Sequence, residues 1–270
     1  MSTRGAIVRS IVLLPPLGHD AALYAPLARA IGDRLEVVAL DYPGFGEEPQ
    51  GFDYEAPELL ERLAGHFAQR IDSLGIEPVF LGGVSLGGTL SFPLGSRLAR
   101  APEGRLLLAS GGLPVAMVRK DAVRTAMNEL GAVGFARRHL GLDHPDLDAS
   151  SLRTHIGRMT EDVARYFEHY FHTTWEGPAF EARANASVAM LRAALDVDFR
   201  EAMRDPRPRS VVIWGDRDRI FSRSFVDRLV ATLARPSLHV LDGVGHYPPL
   251  EAPDEVARIV VEALEGKAEA

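Results

Sequence analysis

The sequence predicts an α/β fold, a mostly parallel sheet with helices on both of its faces. Two observations carry this. Short apolar runs alternate with segments of helical period, the pattern that builds a parallel sheet flanked by helices. The runs are nearly continuous in apolar residues, as strands buried on both faces require. A third observation adds a part: from about Leu113 to Arg204 the alternation stops and apolar residues recur only at helical spacings.

Ser10-Ile11-Val12-Leu13-Leu14 reads as the first buried strand, and Leu23 to Ile31 as the helix after it. Leu35 to Leu40 is a second strand. Leu59, Leu60, Leu63, Phe67, Ile71 and Leu74 then recur near the 3.6 period of a helix. Val79 to Val84 is a third strand, followed by a helix from about Leu86 to Ala99. Arg105 to Ala109 is a fourth. Beyond the interruption, Ser210 to Trp214 and Leu238 to Leu241 are strands, with a helix on Phe225, Leu229, Val230 and Leu233 between them. The last helix carries Val256, Ile259, Val260, Ala263 and Leu264 on one face, with Pro253 near its start. The predicted organisation is a core of residues 1–112 and 205–270 with a helical insertion over 113–204. An insertion at the carboxyl ends of the strands covers the site there; the other reading is a helical subdomain packed elsewhere.

Composition narrows the function. The chain has 270 residues, 46% of them hydrophobic, and a net charge of −7. That charge disfavours nucleic acid as a partner. There is no cysteine, which excludes disulfides, thiolate metal sites and a cysteine nucleophile. Lys120 and Lys267 are the only lysines, so arginine supplies nearly all positive charge. No apolar run is long enough to span a bilayer, and Met1 to Ser10 lacks the apolar core of a signal peptide. The expectation is a cytoplasmic protein without membrane insertion, acting on a small-molecule substrate.

The most informative stretch is Gly83-Val84-Ser85-Leu86-Gly87, which joins the third strand to its helix. A sharp turn there holds Ser85 in a strained conformation, and flanking glycines let strand and helix approach without Cβ clashes. A nucleophilic serine needs a base, and the base an orienting carboxylate. Trp214-Gly215-Asp216-Arg217-Asp218-Arg219 follows one strand and offers the carboxylate, as Asp216 or Asp218. Gly243-Val244-Gly245-His246-Tyr247-Pro248 follows the last strand and offers the imidazole. His169 and His172 lie three apart beside Glu168, a spacing that can hold a metal, but no further ligand is evident. The expectation is no metal and no cofactor.

These motifs, with Leu14-Pro15-Pro16-Leu17-Gly18-His19-Asp20 and Asp41-Tyr42-Pro43-Gly44-Phe45-Gly46, resemble those of the α/β-hydrolase superfamily in its capped, single-domain form. The resemblance runs from Ser10 to Leu264 in element order. It implies Ser85 as nucleophile, Asp218 as acid and His246 as base. It places the oxyanion donors at the backbone N–H groups of Leu17 and Leu86. The chain departs from the family at Pro15-Pro16, where relatives usually carry His-Gly or Pro-Gly. It departs again at the amino terminus, where the family's opening hairpin shrinks to at most one edge strand around Ala6-Ile7-Val8. The sheet is therefore expected to have about six or seven strands.

The implied activity is cleavage of an ester or thioester of an apolar small molecule through an acyl-enzyme. Superfamily members that open epoxides or cleave carbon–halogen bonds use an aspartate at the elbow, which serine disfavours. The alternatives on the same scaffold are a carbon–carbon hydrolase, a lyase, a cofactor-free perhydrolase or a small-molecule receptor. Tyr166, Phe167, Tyr170, Phe171 and Trp175 form the most aromatic stretch, and some of them are expected to line a pocket above Ser85. His19 is expected to border the site.

Overall fold

The computed structural model describes residues 10–114, 117–174 and 178–266, without the side chains of 117–119, 174 and 178. Six strands form one parallel sheet: β1 (Ser10–Leu14), β2 (Glu36–Ala39), β3 (Pro78–Val84), β4 (Gly104–Leu108), β5 (Arg209–Gly215) and β6 (Pro236–Leu241). Their spatial order is β2-β1-β3-β4-β5-β6. All six runs read from the sequence are strands; Ser10–Leu14 keeps its bounds and the others shift by at most two residues. The expected edge strand around Ala6-Ile7-Val8 lies outside the described residues, as does Trp175.

Successive side chains of a strand point to opposite faces, and the core divides accordingly. Ile11 and Leu13 of β1 pack with α1 (Ala25–Ile31) and with Val256, Ile259 and Val260 of the last helix. Val12 and Leu14 pack on the other side against Leu63, Phe67 and Ile71 of α2 (Leu59–Leu74) and Leu90 of α3 (Leu86–Gly95). Helix α3 is shorter than the expected span to Ala99. Pro93 lies inside it and removes an N–H from the ladder. Near its carboxyl end the Ser96 hydroxyl and Arg97 guanidinium donate to the Pro93 carbonyl, at 3.0 and 2.8 Å.

Between β4 and β5 the described residues hold helices and loops and no strand: α4 (Met117–His139), α5 (Glu161–Thr174), α6 (Pro178–Ala194) and α7 (Arg200–Met203). Gly131, with φ 65° and ψ 173°, breaks α4 into two segments. After β5 come α8 (Arg223–Thr232), β6, the single turn α9 (Pro248–Glu251) and α10 (Pro253–Leu264). Among the described residues no helix is long and apolar enough to cross a membrane.

The chain enters the sheet at β1, moves to its neighbour β2 at the edge, then returns to β3 on the other side of β1. This reversal leaves a crevice outside the carboxyl ends of β1 and β3, where open α/β sheets bind ligands. The loop of Leu17 follows β1 and Ser85 follows β3, so both stand at that crevice.

Candidate active site

Ser85 occupies the tip between β3 and α3 with φ 54° and ψ −114°, a conformation side-chain-bearing residues rarely adopt. Its neighbours hold it there. The Ser85 N–H donates to the Leu108 carbonyl at 2.9 Å. Its own carbonyl accepts from the Ser110 and Thr89 hydroxyls at 2.9 and 3.1 Å. The two glycines of the motif are needed for contact. A Cβ on Gly83 would sit 2.0 Å from the Leu14 carbonyl oxygen, and one on Gly87 1.9 Å from the same atom. The elbow therefore packs directly on the end of β1.

Two buried tyrosines fix the loop that leaves β1. Tyr24 donates to the Leu14 carbonyl at 2.5 Å and accepts from Val84 N–H at 2.8 Å, bridging the ends of β1 and β3. Tyr42 donates to the Pro15 carbonyl at 3.0 Å. The Pro15-Pro16 pair thus sits in a loop braced at successive carbonyls. Leu17 follows, and among the described residues no hydrogen bond uses its N–H. Leu86 N–H opens α3, where a first-turn amide has no partner within the helix. Leu17 and Leu86 border the same cavity as Ser85.

His246 and Asp218 are brought together after β6 and β5. His246 Nδ1 lies 3.0 Å from Asp218 Oδ2, and the two side chains are 3% and 0% exposed. The other carboxylate oxygen, Oδ1, accepts from the N–H groups of Ile220 and Phe221 at 2.7 and 3.2 Å. With Asp218 accepting at Nδ1, the Nε2 lone pair of a neutral His246 is free to take a proton. Asp216 is exposed and faces elsewhere: its Oδ1 accepts from Gly243 N–H at 2.7 Å. His169 and His172 are exposed on α5, and among the described residues no group of three or more His, Asp or Glu stands close enough to hold a metal.

Ser85 and His246 share a cavity of about 760 Å³. Its floor is the sheet end with Leu17, Leu86 and Thr89. The segment between β4 and β5 lines it too, with Val123, Phe135 and Leu140 from α4 and the loop after it, Leu152, and Leu191 and Leu195 at the end of α6. Phe221 and Phe225 complete an apolar wall.

The aromatic stretch of α5 does not take the place expected of it. Tyr166, Phe167, Tyr170 and Phe171 are buried and none of them lines the cavity. They pack on one another and on His19, whose ring lies 4.5 Å from that of Tyr170 and 5.3 Å from that of Tyr247. The helical period identified a buried face; it could not say what lay against it.

His19 borders the cavity, as expected, from inside this aromatic cluster. Its Nδ1 lies 3.0 Å from the Tyr166 hydroxyl and its Nε2 3.2 Å from that of Tyr247. Burial, then the nearby His246 and His155, lower its pKa from 6.5 to about 3. The imidazole is therefore neutral at pH 7, with one nitrogen donating and the other accepting. A histidine so lowered binds a proton in the unfolded chain and not in the folded one. Stability is lost as pH falls from 6.5 towards 3, with a slope from this group of up to about 1.4 kcal/mol per pH unit. Urea unfolding at pH 7 and pH 4.5 should show a smaller acid loss for His19→Gln than for the parent protein. Equal losses would contradict a neutral buried His19.

Glu251 is a further residue of the site, and only the fold brings it there. Its carboxylate is 2% exposed and accepts four backbone N–H bonds. Gly245 and Tyr247, on either side of His246, donate at 2.7 and 3.0 Å. Gly157 and Arg158, in the insertion, donate at 2.8 and 2.9 Å. One side chain thus ties the insertion to the His246 loop, and the His246 N–H donates to the His155 carbonyl at 2.8 Å beside it. The available signal was a lone carboxylate in the apolar run Pro248-Pro249-Leu250-Glu251-Ala252. Glu251→Ala leaves four buried donors unpaired and should cost on the order of 3 kcal/mol. Glu251→Gln keeps one oxygen and should fall between. Denaturant midpoints of the two variants check this order.

A family model described as "Alpha/beta hydrolase family" matches residues 11–259. The chain belongs to the α/β hydrolase family. Among curated relatives, it is 26% identical over 250 residues to haloalkane dehalogenase 2 of Mycobacterium bovis, covering 89% of this chain and 82% of that one. It is 25% identical over 269 residues to the pimeloyl-[acyl-carrier protein] methyl ester esterase of Aeromonas salmonicida, covering 93% of each. Among solved structures, the haloalkane dehalogenase DbeA of Bradyrhizobium elkani superposes with a TM-score of 0.75 at 17% identity, over 97% of this chain and 92% of that one. This α/β hydrolase therefore shares its fold with proteins of several chemistries, and the residues of its own cavity must carry any narrower reading.

Proposed function

We propose that this α/β hydrolase cleaves an ester or thioester of a small, largely apolar molecule through an acyl-enzyme on Ser85. One observation carries the reading: His246, paired through Nδ1 with buried Asp218 at 3.0 Å, borders the same cavity as the strained Ser85. Serine at the elbow favours acyl transfer over the aspartate-nucleophile chemistry of the superfamily's dehalogenases. The resemblance to a methyl ester esterase along almost the whole chain points the same way.

In this mechanism His246 Nε2 takes the Ser85 hydroxyl proton as Oγ attacks the substrate carbonyl carbon. The oxyanion accepts from Leu17 and Leu86 N–H. His246 returns the proton to the leaving alcohol or thiol as its bond to carbon breaks. A water molecule, losing a proton to His246, then attacks the acyl-enzyme, and the acid leaves with Ser85 restored. Asp218 holds the histidine tautomer throughout. The helical insertion over 113–204 acts as a cap on the core of 1–112 and 205–270, and its apolar wall takes the apolar part of the substrate. Pre-steady-state kinetics on an activated ester test this: a burst of alcohol equal to the enzyme concentration supports an acyl-enzyme, and turnover of esters without any covalent intermediate opposes it.

A further inference from the structure

Among the described residues, the ionisable side chains that border the Ser85 cavity are basic groups and the phenol of Tyr247. Arg219, Arg228 and four histidines line it, and among the described residues no carboxylate does. The chain as a whole has the opposite sign, with 37 acidic residues against 30 Lys and Arg. The formal charge bordering the cavity is thus that of Arg219 and Arg228, opposite in sign to that of the chain.

The pairing of the local arginines makes the same point. Four of them lie along the β5–α8 connection and helix α8. Arg217 faces Asp216 at 3.9 Å, and Arg223 bonds Asp227 at 2.7 Å; neither lines the cavity. The two that do line it, Arg219 and Arg228, form no ion pair among the described residues. Arg228 rests on the Phe225 ring, 5.6 Å from its centroid, which orients the guanidinium without neutralising it. Both arginines are solvent-exposed, so they stand at the mouth, while Leu113, Val123, Leu191 and Leu195 form the apolar lining.

Building on the hydrolase reading above, we propose that the substrate is amphiphilic, an apolar body ending in an anion, carboxylate or phosphate, held by Arg219 and Arg228 at the mouth. Guanidinium forks match both anions through paired, charge-assisted hydrogen bonds. An anion at the mouth would also orient the apolar part inward, towards Ser85.

The test uses two sets of esters of equal length, one carrying the terminal group on the acyl half and one on the alcohol half. Each set has carboxylate, phosphate and primary amide ends. The expected result is that in at least one set an anionic ester exceeds its amide twin about tenfold in kcat/KM, mainly through KM. That ratio should collapse about tenfold in Arg219→Gln or Arg228→Gln, recover in part in the Lys variants, and shrink with added salt. Which anion leads separates the two sources. Ratios at or below one in both sets, or ratios untouched by both Gln variants, would overturn the proposal. If no ester is turned over and Ser85 takes no adduct, the hydrolase reading fails instead. Calorimetric binding of the same twins to the parent protein still judges the anion site: tenfold tighter binding of an anionic twin supports it, and equal binding refutes it.

Discussion

Ser85→Ala is expected to reduce ester turnover by about 10⁴-fold or more while leaving the fold intact. The loss is large because in the proposed mechanism the hydroxyl is the nucleophile itself, and His246 without it can only act on water. The fold should persist because the elbow is held by backbone bonds: Ser85 N–H to Leu108, and its carbonyl to Ser110 and Thr89. No side-chain atom of Ser85 takes part in them. Alanine at φ 54° carries the strain that serine already carries. Circular dichroism and unfolding midpoints should match the parent protein. A folded variant that keeps a tenth of the parent kcat would contradict the assignment.

Asp218→Asn should be nearly as damaging, on the order of 10⁴-fold in kcat. The asparagine can still accept from Ile220 and Phe221 through its oxygen. Its amide group then faces His246 Nδ1 and, as a donor, favours the tautomer with the proton on Nε2. That nitrogen can no longer take the Ser85 proton. Asp216→Asn retains an oxygen for Gly243 N–H and touches no part of His246, so its kcat should stay within about twofold of the parent protein. Steady-state kinetics on one ester compare the two variants directly. The reverse order of effects would move the acid to Asp216.

The strands and the elbow were legible in the sequence for a common physical reason. A parallel strand buried on both faces must be apolar throughout, and runs such as Ile11 to Leu14 have no other simple reading. The elbow needs glycine where Leu14 passes within contact distance, so its spacing marks the turn. Asp216 and Asp218 were harder to tell apart. They sit two residues apart on one loop, and only the fold turns one towards His246 and the other towards Gly243.

The segment between β4 and β5 was legible as helices, and its contribution to the cavity lining was not. Tyr166, Phe167, Tyr170 and Phe171 share a helix face that is buried among aromatic rings, while Val123 and Phe135 of α4 and Leu191 of α6 border the cavity. Helical periodicity reports which face is covered and carries nothing about the partner. Glu251 escaped notice for a related reason: its four N–H donors come from two loops far apart in sequence. The unpaired state of Arg219 and Arg228 is likewise visible only where their neighbours are seen to be paired.

The central claim is covalent, and intact-mass spectrometry of a quenched reaction tests it most directly. The parent protein, mixed with an activated ester and acid-quenched within the burst, should gain the mass of one acyl group. Peptide mapping should place that group on Ser85, and Ser85→Ala should show no gain. An acyl group mapped to another residue, or rapid turnover by the parent protein with no adduct at any quench time, would contradict the account.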